Sequence, residues 1–280
     1  MSALRVLILG ASGRLGGMVR RHWRAANVDT LWQYRRAPAR VQSVICDPLT
    51  DPDHAARRCG RVDVVLDLSG VVPGAGDLAL NTDLALAALA LGARTGAGRV
   101  FLASTAAVYG AGAQAFPETA PLCPLSDYGA AKAAMERSAQ ARAAELGVGL
   151  TVLRIGNVAG ADALLGPPEG PRVLDRFKDG TGPRRSYIGP LTFAHLLAAL
   201  VLHAARGADL PELLNIAQPG AVAMSDLCAA AGFAVTWRPA PDTALPLVET
   251  DVTRLESLLP VPAASAQGLV AEWRADRGAG

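Results

Sequence analysis

The stretch LRVLILGASGRLGG, Leu4 to Gly17, constrains the fold more than any other part of the chain. An almost unbroken apolar run ends at Gly10, and glycines recur at 13 and 16 where a helical pattern opens. A continuous Val, Leu and Ile run is the signature of a strand covered on both faces. A covered strand that turns through glycines straight into a helix is the first βα unit of a parallel sheet.

The rest of the first 155 residues repeats that unit. Strand-like runs are predicted at 4–10, 30–36, 41–46, 62–70, 99–104 and 149–155, with helical patterns at 14–26, 77–95 and 127–146. The expected fold is α/β, a doubly wound parallel sheet of the Rossmann type with right-handed crossovers. After Asn157 the pattern changes: Gly and Pro cluster in GPPEGPRV and DGTGPRRS. A helix at 191–206, a short strand LLNIA and small helices near 225–231 and 263–275 follow. The expected organisation is a dinucleotide-binding domain over 1–156. A small α+β substrate lobe over 157–280 packs on it and is not independent.

Composition excludes several classes. With 27 basic and 25 acidic residues the formal net charge is +2, which gives no bias toward nucleic acid or a membrane surface. The four cysteines, Cys46, Cys59, Cys123 and Cys228, are widely spaced without a CxxC pair, as expected of reduced, buried thiols in a cytoplasmic protein. The four histidines form no metal-ligand spacing, so no metal is expected. The N-terminal apolar run is too short for a signal peptide, and those near 84–93 and 196–205 are too short to cross a bilayer.

Glycines spaced as Gly10, Gly13 and Gly16 permit a tight turn and close approach of backbone to a pyrophosphate, and the helix N-terminus adds N–H donors. Ser12, Arg14 and Leu15 lie in the same loop, making a dinucleotide the expected cofactor. Its identity turns on the end of the second strand, where an acid would bond the ribose of NAD. QYRRAP offers Arg35 and Arg36 instead, two guanidiniums able to hold a 2′-phosphate, so NADP is favoured over NAD. Asp47 is expected at the adenine edge, and Leu68, Ser69 and Gly70 near the pyrophosphate, with Ser104 and Ile155 at later strand ends.

YGAAK places Tyr128 and Lys132 four residues apart, on one helix face. An ammonium beside a phenol stabilises the phenolate, making Tyr128 a usable acid/base. Lys132 is one of only two lysines in the chain, the other being Lys178.

With these pieces the chain resembles the extended short-chain dehydrogenase/reductase family of NAD(P)-dependent epimerases and dehydratases. GASGRLG, STAAVYG, YGAAK, LRIGNVAG and RRSYI occur in family order over residues 4–217. The resemblance implies Thr105 as the hydroxyl beside the reacting oxygen, Tyr128 as acid/base with Lys132 its partner, and Asn81 near the active site and cofactor. It implies Asn157 in the substrate pocket and Arg185 on a diphosphate. It also implies a small-molecule substrate and a homodimer through the Tyr128 helix.

Departures narrow the reaction. The acidic pair that dehydratases of the family carry after the threonine is replaced by Ala106 and Ala107, and a methyl moves no proton, so dehydration is disfavoured. NVYGP is degraded to NVAGA, YIHVDD to YIGPLT, and only a short stretch separates Asn157 from Arg185. The leading expectation is therefore an oxidoreductase acting on a sugar, sugar acid or similar small substrate. A nucleotide-sugar 4-epimerase is the alternative, and a non-catalytic NADP-binding sensor a weaker third.

Overall fold

The structure, a computed structural model, describes residues 4–25, 27–36, 43–112, 114–166 and 170–279. Its centre is a seven-stranded, all-parallel sheet in the order β10-β6-β5-β4-β1-β2-β3. These strands are β1 (Leu4–Leu9), β2 (Val28–Tyr34), β3 (Ser43–Ile45), β4 (Val64–Asp67), β5 (Arg99–Thr105), β6 (Gly149–Ile155) and β10 (Leu213–Ile216). Because successive side chains alternate between faces, each strand feeds two cores. Val6, Ile8, Leu66 and Phe101 face α1 (Arg14–His22) and α5 (Pro190–Ala205). Leu7, Leu9, Val65 and Val100 face α2 (Pro52–Cys59), α3 (Leu80–Thr95) and α4 (Asp127–Leu146). That double burial is the reason these strands read as continuous apolar runs.

The strand order reverses between β1 and β4, so their carboxyl ends open a crevice where ligands bind in folds of this kind. Beyond β6 the chain builds β7 (Asn157–Val158), β8 (Arg172–Arg176) and β9 (Arg184–Ile188). After β10 come β11 (Ala221–Ala223), α6 (Met224–Ala231), β12 (Val235–Pro239), β13 (Leu247–Val248), α7 (Thr253–Leu258) and α8 (Ala266–Gly278). β9 pairs with β7, β11 and β13, and β8 pairs with β12. α8 is pinned to α1 by Asp276, which accepts two bonds from the Arg21 guanidinium at 2.8 and 2.7 Å and lies 2.8 Å from His22.

Several sequence expectations shift. LLNIA, expected in the substrate lobe, is β10 and extends the main sheet beside β6, because Leu214 and Ile216 complete the core under α5. α2 is an element the hydrophobic pattern did not suggest; Asp51 caps it, accepting from His54 N–H at 2.9 Å, and Pro52 opens it. β2 stops at Tyr34, leaving Arg35 and Arg36 beyond the strand and exposed. Cys123 is exposed, whereas Cys46, Cys59 and Cys228 are buried as expected. Positions 26 and 41–42 of the expected elements, and 167–169 of the Gly/Pro cluster, lie outside the described residues.

Candidate active site

The crevice at the strand reversal is a cavity of about 700 Å³. Of the residues expected from the sequence to bind cofactor or substrate or to act in catalysis, all but Gly16, Arg36, Asn81 and Arg185 line it. The glycine loop shapes one wall. Gly10 has φ +73°, a left-handed conformation that a side chain rarely adopts, and a methyl there would meet Ser69 N at 2.6 Å. A methyl on Gly16 would stand 2.2 Å from the Gly10 carbonyl oxygen and 2.8 Å from Ala11 Cα, so α1 presses directly against the loop. Gly13 N–H donates back to Gly10 O at 2.9 Å, closing the turn. This cradle, opening onto a helix N-terminus, fits the pyrophosphate of a dinucleotide. Gly16→Ala is expected to lower stability by about 1–3 kcal/mol, because the methyl meets backbone and not a yielding side chain. Thermal unfolding and retention of cofactor on gel filtration check this, and both fall.

The opposite wall is the end of β5 and the first turns of α4. Ser126 caps α4, accepting from Gly129 N–H at 3.1 Å, and so aims Tyr128 and Lys132 at the cavity from consecutive turns. Gly129 is needed here: a methyl on it would lie 2.5 Å from the Ala107 carbonyl oxygen. Lys132 is almost fully buried and its ammonium donates to Ala103 O at 2.8 Å. The phenol of Tyr128 takes part in none of the described hydrogen bonds, and burial raises its pKa above the usual value. The sequence led to the opposite expectation, a phenol lowered by Lys132. Burial instead lowers Lys132 itself, to about 8, against the upward pull of Asp67 and Glu136. A protonated Tyr128 is equipped to act as an acid; acting as a base requires the positive charge of Lys132.

Thr105 ends β5 and accepts from Ala107 N–H at 3.2 Å. It lines both the large cavity and a second one of about 260 Å³, and Asn157 borders both as well. The smaller cavity continues past the methyls of Ala106 and Ala107 to Arg185. Arg185 Nη1 donates to Arg184 O at 2.7 Å, and burial pulls the guanidinium below its ordinary pKa. Nε and Nη2 enter none of the described hydrogen bonds, which leaves donors for an anionic group of a substrate.

Some residues sit elsewhere than expected. Asn81 is buried beside Gly70, but its amide is spent on Val71 and Leu78, stapling the loop ahead of α3. Ser104 reaches the cavity wall, yet its hydroxyl donates to Glu136. Arg14 donates to Ala161 O at 2.7 Å across the cleft mouth.

Three groups escaped the sequence reading. Glu136 continues the Tyr128–Lys132 stripe by one more helical step, a spacing that carried the signal. It forms a buried ion pair with Arg154, Nη2 to Oε2 at 2.8 Å. Arg154 Nη1 also donates to Tyr109 OH at 3.0 Å and Glu118 O at 2.9 Å. Asp67, at the end of β4, is buried and accepts from Ser69 N–H at 2.9 Å and from the Ser69 hydroxyl.

The NADP expectation is corrected. Arg36 does not line the cleft, so the Arg35–Arg36 pair that would grip a 2′-phosphate is not assembled there, and Arg14 spends one of its donors on Ala161 O. Arg35 shares the wall with the acid Asp47. Solved structures of similar fold carry NAD or depend on it themselves. A UDP-glucose 4-epimerase from Stenotrophomonas maltophila, with NAD and formylated UDP-arabinopyranose bound, superposes with a TM-score of 0.79 at 18% identity, covering 98% of each chain. A UDP-glucuronic acid 4-epimerase from Bacillus cereus, in complex with a fluorinated UDP-glucuronic acid and NAD, gives 0.77 at 18%, over 98% of this chain and 99% of that one. An NAD dependent NDP-hexosamine 5,6-dehydratase gives 0.74 at 22%, over 98% of each chain. In sequence, the UDP-glucose 4-epimerase of Azospirillum brasilense is 35% identical over 181 residues, 56% of this chain. The match spans 50% of that protein's length. The family model of NAD dependent epimerases and dehydratases matches residues 6–180.

Proposed function

The chain belongs to the NAD dependent epimerase/dehydratase family, and within it we propose a nucleotide-sugar 4-epimerase that acts on a UDP-hexose with NAD as resident cofactor. The observation that carries this reading is the 35% identity to a UDP-glucose 4-epimerase over 181 residues. The sequence alone leaned toward net redox on a smaller substrate; the relatives favour what stood as the alternative.

In this reading the glycine loop, Asp47 and Lys132 hold NAD along the larger cavity. Bound there, it supplies a reversible hydride acceptor for the sugar carbon. The chain's own groups do the rest. Thr105, shared by both cavities, bonds the reacting oxygen, and Tyr128 exchanges the matching proton with it. Lys132 supplies the charge that makes the phenolate accessible. Arg185, with free donors at the far end of the smaller cavity, binds the diphosphate. The methyl walls of Ala106 and Ala107 offer no proton acceptor, which supports epimerisation over elimination.

Incubation with UDP-glucose is the test. UDP-galactose is expected to accumulate to equilibrium with no net change in nicotinamide absorbance and without added cofactor. Extraction of the purified protein is expected to release NAD and not NADP. Stoichiometric NADH formation would replace this reading with a dehydrogenase, which the compactness of the second cavity favours.

A further inference from the structure

Among the buried acids near the cleft that the roles just assigned leave unused is Asp67. Asp67 closes β4, opposite Leu102 of β5, and Ala103, the next residue of β5, offers the carbonyl to which Lys132 donates at 2.8 Å. The ammonium also lies against Gly70, three residues past Asp67, where an added methyl would be 3.3 Å from Nζ. Asp67 and Lys132 therefore flank the same turn. Both Asp67 bonds to Ser69 fall on Oδ1 and come from neutral donors.

The charges facing Lys132 are few. Its own helix brings Glu136, already committed to Arg154 and Ser104, and the neutral phenol of Tyr128. β5 brings only a carbonyl, and α3 only the amide of Asn81. Among the described residues that leaves Asp67, from β4, as the carboxylate without a cationic partner of its own. Burial pushes Asp67 up to about 6 and Lys132 down to about 8, so each is held in an environment that disfavours its charge. Keeping two such groups together costs stability and marks a functional arrangement.

We propose that Asp67 is a positioning residue whose carboxylate holds Lys132 in its ammonium form through the neutral pH range, against the positive charge of an oxidised nicotinamide. This deepens the proposed function, since it rests on Lys132 serving Tyr128.

Asp67→Asn tests it, because the amide keeps an oxygen for Ser69 N–H. The chain has only two lysines, and Lys178 is exposed, so carbon NMR of labelled lysine resolves the titration of Lys132 directly. With NAD bound, the variant is expected to titrate Lys132 about one pH unit lower than the parent. Thermal unfolding gives a second readout. Asp67 has a folded pKa above its unfolded one, so the parent loses stability relative to the variant as pH rises from about 4 to about 6, and loses more between about 7 and about 8, where Lys132 of the variant gives up its proton before that of the parent. Epimerisation is expected to be unchanged below about pH 6, where Asp67 is protonated in the parent, and about fivefold slower near pH 8. An unchanged lysine titration, or a loss of rate equal at every pH, overturns the proposal. Should neither protein turn over a UDP-sugar, the proposed function fails while the NMR and unfolding data still decide the role of Asp67.

Discussion

Tyr128→Phe is expected to lower turnover by about 10²–10⁴-fold and to leave the protein folded and able to keep its cofactor. The separation of effects follows from the geometry. The phenol oxygen takes part in none of the described hydrogen bonds, so its removal orphans no partner. The ring survives as Phe and still lines the larger cavity from the first turn of α4. Stability is therefore expected to change by no more than about 0.5 kcal/mol, and NAD retention by less than about twofold in the units of a dissociation constant. What disappears is the phenol hydroxyl on the wall of the larger cavity, which Thr105 also lines. Steady-state conversion of UDP-glucose, unfolding and cofactor extraction on the same preparation check all three points. Turnover at the parental rate would move the acid/base role to another group.

The main features of fold and site were legible for different reasons. The six strands before residue 156 declare themselves because both faces of a parallel sheet are covered, which forces continuous apolar runs such as VLIL in β1. The glycine loop and the Tyr128–Lys132 pair are local in sequence, and their spacing alone places them on one turn or one helix face. β10 was assigned to the wrong unit because a four-residue apolar strand carries no mark of which sheet it joins. The NADP reading failed for a related reason: QYRRAP shows two arginines but not that only Arg35 borders the cleft. The Glu136–Arg154 pair joins residues 18 apart on different elements, and Asp67 lies 65 residues from Lys132, so only the helical spacing of Glu136 could be read along the chain.

Glu136→Ala is expected to cost about 3–5 kcal/mol, the largest stability effect of any substitution considered. Both partners of the ion pair are buried, with side-chain exposures of 4% for Arg154 and 1% for Glu136, so water cannot replace the lost carboxylate. Arg154 would keep Tyr109 OH and Glu118 O on Nη1, but Nε and Nη2 would lose their acceptor. The damage spreads because the network continues: Tyr109 OH donates to Asn215 Oδ1 at 2.6 Å, and Asn215 N–H donates to Glu118 Oε1 at 2.9 Å. Asn215 Nδ2 in turn holds the Phe116 and Asp251 carbonyls at 2.9 Å, tying β10 to the segment just after β13. A fall of about 10 °C in the unfolding midpoint is expected for a chain of this size. Pairing Glu136→Leu with Arg154→Met removes both charges and is expected to recover most of the loss, since the cost lies in the stranded guanidinium more than in the missing bond. The recovered protein should still turn over slowly. Ser104 has lost the acceptor that fixes the end of β5 next to Thr105, and Lys132 has lost one of the two carboxylates that sustain its charge. Full activity in the double variant would show that the network serves folding alone.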